Sequence, residues 1–263
     1  MSDSDSDSDI DLPQPLPAIH VAVRNLDVDA LHRALAAGAS IEETDVAGWT
    51  PLYRACKNRV HGVIARTVPK YWNKRISDRV AMVRALLEYG ASVHARCDDD
   101  DDTPLLAAVM NINFPSNDIV EMLIAAGADI EAADNADFCV LYTAAQHGRS
   151  DAVTALIAAG ADVHRICHDF TALQGATLMR NVRTYAPLLR AGVATVALPE
   201  PAGPDQRNAY LNKIAATPGG FPAYEREHRR RLTAVFTNKF PMLPVEVISH
   251  IVHLWAHCGD YLY

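Results

Sequence analysis

The residues best able to do chemistry in this sequence are grouped histidines, cysteines and aspartates. His250, His253 and His257 recur at i, i+3 and i+7 and are followed by Cys258, which puts three imidazoles on one face of a helix. Imidazole and thiolate are zinc ligands. The opposite face carries Ile248, Ile251, Val252 and Trp255 at helical spacing, so the histidines read as the polar side of an amphipathic helix and no metal is expected there. His94-x-x-Cys97 and His164-x-x-Cys167-His168 are half metal sites, but they occupy equivalent places in a repeated unit that holds them apart. Asp98 through Asp102 form a run of carboxylates without the spacing, central Gly and final Glu of a calcium loop. Adjacent carboxylates repel and resist burial, so a solvated turn is expected. The sequence has no Gly-rich phosphate loop, nucleophile elbow or zinc-protease helix. It therefore predicts no catalytic residues and no cofactor.

The elements that position these residues follow from a period. Gly-Ala recurs at Gly38, Gly90, Gly127 and Gly160, with Gly192 ending the series, at intervals of 52, 37, 33 and 32 residues. Each Gly follows a helix-like apolar run, and Gly stops a helix in the left-handed conformation without steric penalty. Upstream of each lies a second element: Pro17–Ala22, Thr50–Ala55, Thr103–Ala108, Cys139–Ala144 and Thr171–Ala176. In the best copy, Thr50-Pro51-Leu52-Tyr53-Arg54-Ala55, Thr caps a helix, Pro fits its first turn, and Leu and Ala face the neighbouring unit.

These phased copies resemble the ankyrin-repeat family over residues 13–195. The resemblance implies an all-α solenoid of about five helix–turn–helix repeats joined by hairpin loops, each burying its apolar face only against its neighbours. It also implies a scaffold that binds a protein partner through the concave and hairpin face, rather than an enzyme. Carried over position by position, the contact residues are Trp49, Asp102, Phe138 and Phe170 before the helix-capping slot. Lys57 and Asn58, then Gln146 and His147, follow at the ends of first helices. Three of the four hairpin positions are aromatic, and aromatic residues are frequent anchors in interfaces.

Composition adds boundaries. Of a net charge of −8, Asp3, Asp5, Asp7, Asp9 and Asp11 carry five and Asp98–Asp102 another five, leaving the remainder at about +2. There is no global basic field, so nucleic acid is not an expected partner. The Ser/Asp tail at 1–12 cannot bury apolar surface and is expected to be disordered. No apolar run is long enough to span a membrane. The five cysteines show no disulfide-framework spacing, which predicts reduced thiols and an intracellular setting, cytoplasmic or nuclear; a monomer with no membrane partner is expected. An insertion at about 61–77 lengthens the second repeat and carries Arg66, Lys70, Lys74 and Arg75 with Tyr71 and Trp72; it reads as a loop.

Beyond a Pro-rich linker with a short helix at 196–222, residues 223–263 read as a helical module. Leu243-Pro244-Val245-Glu246-Val247-Ile248 resembles the opening of an F-box, and an F-box-like segment after ankyrin repeats is similar to the PRANC architecture. That resemblance implies contact with a cullin-type ubiquitin-ligase adaptor through Leu243, Pro244, Ile248, Ile251 and Trp255. Only about twenty residues follow Pro241, room for one F-box helix. The alternative is a helical cap over the last repeat, which solenoids need at their ends.

Overall fold

The computed structural model describes residues 16–57, 69–97, 101–111, 117–193 and 206–257. Five helical pairs follow one another: α1 (Ala18–Asn25) and α2 (Val28–Ala36), α3 (Pro51–Lys57) and α4 (Pro69–Glu88), α5 (Pro104–Met110) and α6 (Asn117–Ala125), α7 (Val140–Gln146) and α8 (Ser150–Ala158), α9 (Ala172–Leu178) and α10 (Tyr185–Arg190). A short 3-10 turn, Val182–Thr184, precedes α10. The first helices stack in the order α1, α3, α5, α7, α9, and the second helices form a parallel outer row.

The repeated residues explain the stack. The leucine slot places Ile19, Leu52, Leu105, Leu141 and Leu173 in the core between repeats, and the alanine slot places Ala22, Ala55, Ala108, Ala144 and Ala176 beside them. Small residues let the first helices approach closely, while each buried aliphatic side chain contributes about 1.5–3 kcal/mol. On the outer row Leu86, Leu123, Leu156 and Leu188 are fully buried at the same distance before each glycine.

Helix ends follow the capping residues. Thr103 Oγ1 accepts from the Leu106 amide, and Thr171 forms a full capping box with Gln174. Cys139 and Pro17 stand in the same slot and make no side-chain cap. At the other end, Gly160 takes φ +96° while the Ala161 amide reaches back to the Leu156 carbonyl at 3.0 Å. The same bond recurs from Ala39, Ala91 and Ala128.

The insertion differs from its expected form. Residues 58–68, including Arg66 and the first part of the expected loop, lie outside the described residues, but 69–77 are not loop; they are the opening turns of α4. Pro69 sits at the first helical position and nothing from Lys70 to Val80 breaks a helix. Lys74 and Arg75 are exposed there, and the side chains of Lys70, Tyr71 and Trp72 lie outside the described residues.

After the repeats come α11 (Gln206–Ala215), α12 (Gly220–Lys239) and α13 (Val245–His257). α12 packs on α10 and α11, and α13 packs on α12. Phe221 is buried at the start of α12, and Arg190 of the last repeat donates to Glu225 at 3.1 Å. Arg229 also donates to Glu225. Burial works against the Glu225 charge, but the two guanidiniums outweigh it and hold its carboxyl below the usual range. The linker residues 196–205 and the acidic tail at 1–12 lie outside the described residues.

Candidate functional site

Successive hairpins present a row of positions just before the capping slot. In repeat two the Asp45 carboxylate accepts from the amides of Ala47 and Trp49, closing the hairpin tip. Asp134 does the same in repeat four for Ala136 and Phe138. Each tip is thereby fixed by its own side chain, and the next residue in the row, Trp49 or Phe138, projects from a defined base.

Trp49 is half-buried. Its ring meets Tyr53 edge-on at 5.4 Å, and both Arg54 and Lys57 lie over it, at 5.2 and 5.3 Å. Arg54 pairs with the buried Asp45 and donates to His20 Nδ1 at 3.2 Å. His20 in turn donates from Nε2 to the Glu43 carbonyl at 2.6 Å. Burial and the neighbouring Arg54 hold this imidazole below its ordinary pKa, although the Glu43 carbonyl pulls the other way, so it serves as a neutral bridge between repeats one and two.

Asp102 departs from the expected solvated run. It is 1% exposed, and it accepts from the Tyr53 hydroxyl at 3.1 Å and from Lys57 Nζ at 3.3 Å. Two donors from repeat two repay its desolvation, which a turn in isolation would not offer. Asp102 is therefore an inter-repeat tie and not an exposed contact residue. Asp101 beside it is exposed and pairs with Arg96, while Asp98–Asp100 lie outside the described residues. Tyr53 was not singled out by motif reasoning. Its signal is its place in Thr50–Ala55, where the ankyrin signature has His. Burial pushes the Tyr53 hydroxyl pKa well up, so it remains a donor.

Farther along, Phe138 stacks on Tyr142 at 5.4 Å and meets His168 at 4.7 Å. Phe170 packs on the same small cluster with Cys139, Tyr142 and Cys167. Gln146 and His147 are half-buried at the end of α7; Asn181 donates to the Gln146 carbonyl, and His147 Nδ1 donates to the Thr143 carbonyl at 2.8 Å. Lys57 is half-buried, and Asn58 lies outside the described residues. The aromatic row thus falls into two parts, Trp49 in repeat two and Phe138 with Phe170 in repeats four and five, with the buried Asp102 between them.

The reduced state expected for all five cysteines does not hold for two of them. Cys139 and Cys167 form a disulfide, 28 residues apart in sequence, with sulfurs at 2.12 Å. Cys56 and Cys97 are free and buried. Spacing alone concealed the pair, because the solenoid brings together a capping slot and the next hairpin, which are far from adjacent in sequence.

In the tail, Leu243 and Pro244 just before α13 and Ile251 on it are exposed, but Ile248 is 1% exposed because it faces α12 with Val252. Ile248 is thus a packing residue and not part of an open adaptor surface. The side chains of Trp255, His253 and His257 lie outside the described residues, as does Cys258. Among the described residues no group of His, Cys, Asp or Glu is arranged to hold a metal ion, and no helix is long and apolar enough to cross a membrane.

A stack of paired helices with projecting hairpins is a helical-repeat solenoid. The family model described as ankyrin repeats (many copies) matches residues 19–65 and 71–116, and the model described as ankyrin repeat matches 100–135. The fold is an all-α ankyrin-repeat solenoid, and its fourth and fifth repeats continue the unit past the matched residues to Val193. Ankyrin repeats are in general protein–protein interaction modules. No curated protein matches the chain.

Proposed function

We propose that this chain is a non-enzymatic scaffold that holds a protein partner along the hairpin edge and the ends of its first helices. The observation that carries this reading is the pair of half-buried aromatic clusters in register on that edge: Trp49 under Arg54 and Lys57, and Phe138 with Phe170. Rigid aromatic side chains held on a fixed base lose little entropy on binding and supply much of an interface's energy. Capture from lysate with Trp49→Ala and with Phe138→Ala/Phe170→Ala tests it. Partners retained by wild type should be lost from one or both variants. An unchanged partner set with folded variants removes the edge as the binding face.

A second reading is favoured by one observation in the tail. Val247 and Ile251, four residues apart on α13, are 44% and 39% exposed, and Leu243, two residues before the helix, is 40% exposed. This is the surface that a ubiquitin-ligase adaptor would cover if the F-box resemblance carries function. Co-purification of a cullin adaptor with wild type, lost in Leu243→Ala/Pro244→Ala, supports it. Absence of any adaptor from the wild-type capture rejects it and leaves α13 as a cap.

A further inference from the structure

The repeat gives each residue an internal control, and that control singles out one cross-repeat pair. Cys139 stands in the slot where Thr50, Thr103 and Thr171 cap their helices. Cys167 opens the fifth hairpin, the place that Asp45 and Asp134 take in repeats two and four, where their carboxylates hold the tip amides. Cys97 occupies the same hairpin-opening place in repeat three, beside Tyr53, but the capping slot it faces holds Thr50. Only repeats four and five carry cysteine in both slots.

The substitution changes what holds the hairpin. A thiol is a weak acceptor and does not replace the Asp carboxylate. The fifth tip has two residues, His168 and Asp169, both in the left-handed region at φ 50° and 68°. Two successive non-glycine residues there are unfavourable. The paired amides and carbonyls of Cys167 and Phe170 bound the tip, and the His168 amide reaches Asp137 only at 3.5 Å. Before the tip, Arg165 pairs with Glu131 and Asp137 of repeat four, and the covalent link to Cys139 joins the base of the tip itself to that repeat. Phe138 rests against His168, so movement of the tip changes how Phe138 and Tyr142 are covered.

We propose that Cys139 and Cys167 form a reversible disulfide that locks the fifth hairpin onto repeat four, so that the redox state sets the arrangement of the Phe138–Phe170 edge. That this matters for a partner rests on the binding reading above; the lock itself does not. With oxidised glutathione as oxidant, one cysteine thiolate attacks a glutathione sulfur and expels one glutathione thiolate. The second cysteine then attacks the mixed disulfide and expels the other. Two cysteine protons end on two glutathione thiols, and the two electrons lost by the protein sulfurs reduce one glutathione disulfide. Both protein sulfurs are covered, so each exchange requires the hairpin to open locally.

The full chain is equilibrated in glutathione buffers from fully reduced to fully oxidised, then acid-quenched. Thiols are counted by alkylation under denaturing conditions, with amide exchange followed on parallel samples. The count should fall from five to three in one two-electron step, with the peptides of Cys139 and Cys167 joined. Exchange at the Cys167 and Phe170 amides should slow on the order of a hundredfold, as expected for a link closing a segment of this length. Cys139→Ser and Cys167→Ser should each keep four thiols and fast exchange; if either fails to fold, the wild-type series decides alone. Five thiols at every ratio, pairing of other cysteines, or equal exchange in both states overturns the proposal. Partner capture is measured separately, so failure of the lock and failure of the binding edge give different results.

Discussion

The Tyr53 hydroxyl donates to Asp102 Oδ2 at 3.1 Å, tying the first helix of repeat two to the hairpin of repeat three. Lys57 joins the same oxygen one turn later. The bond turns a run of aspartates into a structural feature, because one of the five is drawn inward by two donors that the neighbouring repeat supplies.

Asp102→Asn should destabilise the stack by about 2–3 kcal/mol, since it removes the charge that offsets Lys57 and weakens a buried acceptor. Asp101→Asn, one residue away and exposed, should change stability by less than about 0.5 kcal/mol. Urea denaturation followed by circular dichroism distinguishes them. Equal midpoints for the two variants would contradict the tie.

Gly175 lies under the Tyr142 ring, and a Cβ there would stand 2.5 Å from Cε2. Gly175→Ala must displace Tyr142 or separate α7 from α9, at about 1–3 kcal/mol. The variant should melt earlier and lose protection in repeats four and five before repeats one and two. A thermal midpoint equal to wild type would show that the ring moves aside freely.

The tail should loosen in acid. The folded Glu225 carboxyl is held below its unfolded value, near 4.3, so its contribution is complete above that value and is lost as pH falls through the folded one. Limited proteolysis of α12 should therefore accelerate below about pH 4 in wild type. Glu225→Gln should show faster cleavage at pH 7 and a weaker acid dependence. A tail cleaved at the same rate across this range would mean that the Arg190–Glu225 pair does not dock it.

Cys56 is fully enclosed, and burial pushes its thiol up to about 12. Alkylation of the native chain at pH 8 should leave Cys56 unmodified, with labelling only on denaturation. Peptide mass analysis reads this directly, and rapid native labelling of Cys56 would contradict the packing of α3.

The architecture was legible because its signals are local and repeated. Gly38, Gly90, Gly127, Gly160 and Gly192 stop helices, and Leu86, Leu123, Leu156 and Leu188, each four residues before one of the last four, are buried. What pairs across repeats was less so. Asp102 reads as a solvated carboxylate until Tyr53 and Lys57 are placed beside it, and Cys139 and Cys167 read as free thiols until two repeats are stacked. Ile248 looked like an exposed contact because spacing defines a helix face but not which neighbour covers it. The aromatic row could be written down from register alone, whereas its division into two clusters depends on side-chain packing.

The central claim is that partners meet the hairpin edge rather than the outer helices. The most direct measurement is site-specific photo-crosslinking in cells, with the reactive residue placed at 49, 138 or 168 on the edge and at 84, 121 or 154 on the exposed outer helices. The account predicts cross-linked partner bands from the edge positions and none from the outer ones. Cross-links confined to 84, 121 and 154, in a chain that remains folded, would contradict it.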